Sequence, residues 1–281
     1  MYALLSALPK NHLSYVLGSL AAIRLPGPLR LLSLQIFAKL TSINLEEAER
    51  PLREYASIAD LFTRRLRAGA RPIEGAIVSP ADSKLRACGV IENGRLPQIK
   101  DKDYSVAELL RDPALAERFN GGYFFNLYLS PMDYHRVHAP CAGAIEFRRY
   151  IPGKLWPVND WSLSHIENLF VINERVVIGI RSAYGLVLVI MVGATNVGKI
   201  SLAFDSLVTN RAFSAADAQP LLKQFDPTLP VGCGDELGTF HLGSSVVVLF
   251  EPQAKINSVR PSSPAPVRMG QLLAQSGCAV R

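Results

Sequence analysis

Leu186-Val187-Leu188-Val189-Ile190-Met191-Val192 is an unbroken apolar run, rich in β-branched residues and closed by Gly193. A run of that length and composition between turn formers predicts a core strand. Working outward from it, Gly122 to Leu129, Gly143 to Ile151, Val171 to Ile180 and Val246 to Phe250 share its β-branched and aromatic character, and Gly, Pro, Asn and Asp mark the joints between them. Short strands joined by such turns predict a mainly antiparallel β domain, barrel-like or sandwich-like. Tyr104 to Leu110, Ser162 to Asn168 and Met269 to Ala274 read as short helices, so the class is α+β. Phe204 to Glu236 has poor periodicity and loop signals at Pro227 and Gly232-Cys233-Gly234, which predicts a mobile loop ahead of the last apolar run.

The N-terminal part has a different character. Met1 to Leu45 contains no acidic residue, whereas Lys10, Arg24, Arg30 and Lys39 punctuate an apolar background. Leu13, Val16, Leu17, Leu20 and Ile23 follow helical spacing, and Leu29, Leu32, Ile36, Phe37 and Leu40 do so again after the break at Leu25-Pro26-Gly27-Pro28. The expectation is two amphipathic helices lying peripherally on the cytoplasmic face of the cell membrane; the alternative is that both pack on the catalytic domain. Neither run approaches the roughly 20 apolar residues of a spanning helix, and Pro9 and Lys10 fall where the apolar core of a signal peptide would be. Residues 46–75 mix both charges around Leu61, Phe62 and Leu66 and read as a helical connector, which leaves 76–281 as the chemical domain.

A net charge of +6 over 281 residues suits anionic partners, nucleic acid or an anionic bilayer. The basic residues are not clustered with stacking aromatics, which argues against nucleic acid. Cys88, Cys141, Cys233 and Cys278 are scattered without C-x-x-C spacing and read as reduced thiols rather than a zinc or redox site.

Chemistry is concentrated in Leu242-Gly243-Ser244-Ser245. Gly243 has no Cβ to shield its carbonyl, so the Ser244 hydroxyl can reach that carbon and cut the chain, provided a base takes its proton. Ser79-Pro80-Ala81-Asp82, Tyr128-Leu129-Ser130-Pro131-Met132-Asp133-Tyr134-His135-Arg136-Val137-His138 and Val192-Gly193-Ala194-Thr195 precede it. In that order, the four segments resemble the pyruvoyl-dependent phosphatidylserine decarboxylases of bacteria, and the likeness runs over most of the chain. Two positions depart from the family pattern, which shows Thr where this chain has Ser245 and Gly where it has Ser83.

The resemblance implies a proenzyme in which Ser244 is the nucleophile, His138 its base and Asp82 the group that holds the imidazole. Cleavage between Gly243 and Ser244 would give a large fragment, 1–243, and a small one, 244–281, that begins with a pyruvoyl group made from Ser244. The substrate amine of phosphatidylserine would condense with that ketone as a Schiff base, lose carbon dioxide and leave as phosphatidylethanolamine, with no metal and no dissociable cofactor. His135, at the family's first histidine, is the implied proton donor, Tyr128 a candidate for holding the substrate carboxylate or a water, and a homodimer the implied assembly.

Read without the family, Asp82 is an ordinary turn carboxylate after Pro80. His135 and His138 form H-x-x-H, but Pro131 and Pro140 confine that segment and no glutamate follows the first histidine, so a metalloprotease helix is excluded. Two other function classes stay open at this point. An intact hydrolase would use the same three side chains on an external ester or peptide. A membrane-bound binding protein would need only the basic N-terminal part.

Overall fold

The computed structural model describes residues 10–97, 103–195, 199–210, 219–241, 244–260 and 264–277. In chain order its strands are β1 Ser83–Val90, β2 Arg95–Leu96, β3 Tyr104–Ser105, β4 Tyr123–Leu129, β5 Arg136–His138, β6 Gly143–Ile151, β7 Arg175–Ser182, β8 Gly185–Gly193, β9 Ile200–Leu202, β10 Leu221–Val231, β11 Glu236–Phe240, β12 Ser244–Phe250, β13 Ile256–Ser258, β14 Ala265–Val267 and β15 Ala274–Ser276. Eight of them form one sheet in the order β10-β6-β7-β8-β12-β4-β1-β14, antiparallel at every pairing. The sheet is open, with β10 and β14 at its edges, so of the two predicted forms the barrel falls away.

The two faces are covered differently. A three-stranded sheet, β5-β11-β9, packs Val137, Ile200 and Leu237 against Leu127, Met191 and Val246 of the large sheet. On the other face lie four short helices: α4 Val106–Leu110, α5 Pro113–Glu117, α6 Asp160–His165 and α7 Leu169–Ile172. They bury Leu109, Ala116, Ile166 and Phe170 with Ile190, Val247 and Leu249. Each large apolar side chain removed from water contributes about 1.5–3 kcal/mol. A strand covered on both faces has no polar side to alternate with, which is why β8 and β12 are written as continuous apolar runs. Arg175 is fully buried at the start of β7, where its guanidinium donates to the carbonyls of Glu108, Leu109, Val171 and Asn173 and so ties α4 and α7 to the sheet.

Helices α1 (Lys10–Ala21) and α2 (Gly27–Thr41) stand where the N-terminal periodicity predicts them, followed by α3 (Ile58–Phe62). Leu34 and Ala38 of α2 bury against Tyr55 and Leu61. Val16, Leu20, Ile23, Leu29, Leu32, Ile36 and Leu40, all members of the periodic set, are exposed. No helix among the described residues is long and apolar enough to cross a membrane.

Three sequence expectations fail. Met269 to Ala274 is a turn leading into β15, not a helix: Gly270 takes a φ of 83°, and its N–H donates to Ser79 O. The run from Val171 begins in α7, and its strand starts only at Arg175. The predicted loop from Phe204 to Glu236 contains the eleven-residue strand β10. This edge strand is exposed over most of its length, so it has no buried side to generate alternation, and an edge tolerates Pro227 and Pro230, which cannot donate to a ladder.

Candidate active site

Two antiparallel pairs meet at one end of the molecule. In the large sheet the last residue of β4, Leu129, is opposite the first of β12, Ser244. In the small sheet Arg136 of β5 is opposite Thr239 of β11, and the Phe240 N–H donates to the His135 carbonyl at 2.9 Å. The 130–135 connection therefore runs from the end of β4, opposite Ser244, to the start of β5, whose partner β11 ends at Phe240. Leu242 and Gly243 lie outside the described residues, and with them the carbonyl that Ser244 would attack.

Ser244 is fully buried, held between Leu129 on β4 and Gly193 on β8. Opposed residues share a face, so its side chain lies on the face covered by the small sheet. Its Oγ has no hydrogen-bond partner among the described residues. A buried hydroxyl left unpaired costs about 1–3 kcal/mol, and the neighbouring Ser245 Oγ shares that state.

His138 sits at the end of β5, with its N–H on the Pro80 carbonyl at 2.8 Å. Its Nδ1 is 2.8 Å from the Gly234 carbonyl, which can only accept, so Nδ1 carries the proton and Nε2 offers its lone pair. Tyr134 Oη donates to that Nε2 at 3.2 Å. Burial pushes the imidazole's pKa down and keeps it neutral. His138 thus holds the neutral tautomer with Nε2 unprotonated, and the group that fixes this tautomer is the Gly234 carbonyl, not Asp82.

Asp82 is held elsewhere. Arg71 clamps its carboxylate with Nε at 2.8 Å and Nη2 at 2.5 Å, and the Met269 N–H adds a third bond at 2.8 Å. Burial works against the Arg71 charge, but hydrogen bonds to Asp82 and Glu47 outweigh it and push the guanidinium pKa up. The structure brings Asp82 close enough to His138 for its charge to favour the imidazolium, without a hydrogen bond between them.

His135 is completely buried, with the Phe62 ring 4.1 Å from its own. Its Nδ1 donates to the Asp133 carbonyl at 2.9 Å, an oxygen that also accepts from Arg64 Nη2 at 3.4 Å. Nε2 has no partner. Burial drives its pKa to about 3, so it rests as a neutral imidazole with an open lone pair. To act as the proton donor expected from the sequence, His135 would first have to take up a proton. Tyr128 is opposite Ser245, one register step from Ser244 and on the other face of the sheet, with the Arg86 guanidinium 3.9 Å over its ring. His241 accepts or donates at Ser201 Oγ (3.0 Å), and burial lowers its pKa to about 4. Among the described residues no group of His, Cys, Asp or Glu side chains is arranged to hold a metal ion.

A family model for phosphatidylserine decarboxylase matches residues 58–275, which include α3, both histidines and Ser244. The chain belongs to the phosphatidylserine decarboxylase family. It is 41% identical over 274 residues to the phosphatidylserine decarboxylase proenzyme of Anaeromyxobacter sp. (strain K), covering 96% of this chain and 95% of that one. The proenzyme of Myxococcus xanthus is 39% identical over 272 residues, covering 95% of each chain. That of Vibrio cholerae is 38% identical over 269 residues, covering 94% of each. Membership makes the chain an enzyme of a decarboxylase family, as the four segments imply.

Sequence reasoning missed four participants in this site: Tyr134 and the Gly234 carbonyl on His138, Arg71 on Asp82, and Arg64 behind His135. Backbone carbonyls carry no sequence signal. Tyr134 stood inside the quoted histidine segment, four residues before His138, and was legible there.

Proposed function

We propose that this chain converts phosphatidylserine to phosphatidylethanolamine and carbon dioxide on a pyruvoyl group that it makes from its own Ser244. The observation that supports the reading is the fully buried Ser244 Oγ at the head of a central strand, without a hydrogen-bond partner among the described residues, in a chain whose His138 and His135 are both held as neutral imidazoles with Nε2 unprotonated.

In processing, His138 Nε2 takes the Ser244 proton as Oγ attacks the preceding carbonyl, and an ester replaces the peptide bond. The Asp82 charge favours the imidazolium formed, and the Gly234 carbonyl holds the ring. Elimination of the ester leaves dehydroalanine at 244, and hydrolysis of this releases ammonia and leaves a ketone. That ketone supplies the electron sink a departing carboxylate needs. His135 Nε2, buried and neutral, takes the proton of the substrate ammonium and returns it to the carbon that has lost carbon dioxide. The products of cleavage, 1–243 and 244–281, stay together because β12 remains hydrogen-bonded to β4 and β8. The exposed apolar positions of α1 and α2 support seating on an anionic bilayer.

The mass of the denatured protein tests this reading. The expected result is two fragments, the smaller starting at residue 244 with a ketone in place of its amine. A single full-length species would fit the hydrolase or the binding protein and overturn the proposal.

A further inference from the structure

Glu174 immediately precedes β7 and is buried, yet the chemistry above gives it no role. The register that pairs Arg175 with Val192 sets Glu174 opposite Gly193, whose N–H donates to the Glu174 carbonyl at 2.8 Å. Gly193 is itself directly opposite Ser244. Opposed residues of antiparallel strands share a face, so Glu174, Gly193 and Ser244 form one row across three strands, and the middle position has no side chain. A Cβ placed on Gly193 would stand 3.8 Å from Glu174 Oε1. Opposed Cβ atoms are about 4.5–5.5 Å apart, so the carboxyl lies within about 9 Å of the Cβ of residue 244, and Leu155 Cδ2 stands 3.2 Å from the same Gly193 position.

The carboxyl is held by neutral donors. Tyr150 Oη donates to Oε2 at 2.8 Å and Thr209 Oγ1 to Oε1 at 2.6 Å. Burial raises its pKa to about 7, so the protonated and ionised forms both exist near neutrality. A group in that state can accept a proton and give it back.

Maturation of Ser244 has a step that needs such a group. Once the Gly243–Ser244 ester exists, it leaves only when the Cα proton of residue 244 is removed. His138 takes the serine proton and returns it to the nitrogen freed by the acyl shift, so removal of the Cα proton is a second and separate demand for a base. We propose that Glu174 is the base of the elimination. Its carboxylate takes the Cα proton of residue 244 through intervening water, the Cβ–Oγ bond breaks, and its electron pair leaves with the Gly243 carboxylate as the Cα=Cβ bond forms. This inference rests on the pyruvoyl reading.

Neutral hydroxylamine, which cuts esters but not peptide bonds, separates the steps. Wild type, Ser244→Ala and Glu174→Gln are run on denaturing gels with and without it, and folding is checked by thermal unfolding. Glu174→Gln should stay full length without the reagent and split with it at 243/244, the small fragment keeping its serine amine. Loss of a positioned base slows such a step by about 10²–10⁴-fold. Glu174→Asp should show the same hydroxylamine-sensitive form converting slowly to cut chain. Cleavage of Glu174→Gln at the wild-type rate without reagent overturns the proposal, and so does a folded Glu174→Gln that hydroxylamine cannot split. If Glu174→Gln fails to fold, Glu174→Asp decides alone, and wild-type processing in it refutes the assignment. An uncut wild type would sink the pyruvoyl reading itself, an outcome distinct from either.

Discussion

Acid should destabilise this protein through His135 by an amount the structure sets. In the unfolded chain the imidazole takes a proton as pH falls through about 6.5. In the folded chain burial holds its pKa at about 3. The folded pKa is depressed, so the stability is present above the unfolded value and is lost as pH falls toward the folded one. Going from about pH 7.5 to about pH 5, the unfolded state gains nearly one proton here that the native state refuses, which removes about 2 kcal/mol. That figure is fixed by the unfolded value as long as the folded one stays well below 5. His138 and His241 are depressed for the same reason and add to the slope, so the comparison must isolate His135. Urea unfolding of Ser244→Ala, and of Ser244→Ala carrying His135→Gln, is followed across that pH range; both are single uncut chains. The His135→Gln chain should lose about 2 kcal/mol less between the two pH values, whatever its stability at pH 7.5. Parallel pH curves would refute the neutral buried imidazole, and with it the assignment of His135 as the group that first accepts a proton.

Three further outcomes follow from the site. His138→Ala should leave the chain uncut, whereas His135→Ala should cut and turn over poorly, as gel bands and carbon dioxide release on the same samples will show; the reverse pattern exchanges their roles. Asp82→Asn should slow cleavage only by about tenfold, since a charge acting without a hydrogen bond at an effective dielectric near 20 is worth of order 1 kcal/mol, and complete loss would mean that Asp82 reaches the imidazole directly. Replacing Leu32, Ile36 and Leu40 with Gln should weaken flotation with anionic liposomes roughly a hundredfold, from about 1 kcal/mol per half-inserted side chain, while leaving cleavage intact; unchanged flotation would place the membrane contact elsewhere.

The strands with two buried faces were legible because their composition is continuous: β8 and β12 stand within two residues of their predicted limits. β10 was not, because an exposed edge carries no periodic constraint, and neither was the Met269 turn, whose form depends on partners far away in sequence. Ser244, His135 and His138 could be named as candidates from their segments, since the residue types suit the chemistry. Their states could not. That His138 is oriented by a carbonyl, that Arg71 occupies Asp82, and that Glu174 shares a row with Ser244 across a side-chain-free Gly193 all follow from register, which no local pattern encodes. The one local hint of Glu174 was a charged pair, Glu174-Arg175, set in an otherwise apolar run.

The N-terminal helices show the opposite relation between pattern and packing. In a soluble protein the periodic apolar residues of a surface helix are those that face the core. In α1 the periodic Val16 and Leu20 are exposed at 52% and 56%, whereas Ser14 is buried. Ser14, Gly18 and Ala22, spaced one turn apart, instead line a cavity of about 310 Å³ whose far wall includes Lys199, Asn210 and His241. In α2 the periodic Leu29, Leu32, Ile36 and Leu40 face outward, whereas the buried residues are Leu34 and Ala38, which the periodic set leaves out, with Phe37 of that set packed beside them. Had the two helices evolved only to pack on the catalytic domain, the large apolar side chains would lie beneath them and the small or polar ones outside. The inversion places an apolar surface outside and a cavity beside His241, three residues before Ser244, under a helix about 10 Å thick. That arrangement supports the proposed seating at a bilayer, in which a substrate headgroup would enter toward the buried serine while the acyl chains stay in the lipid.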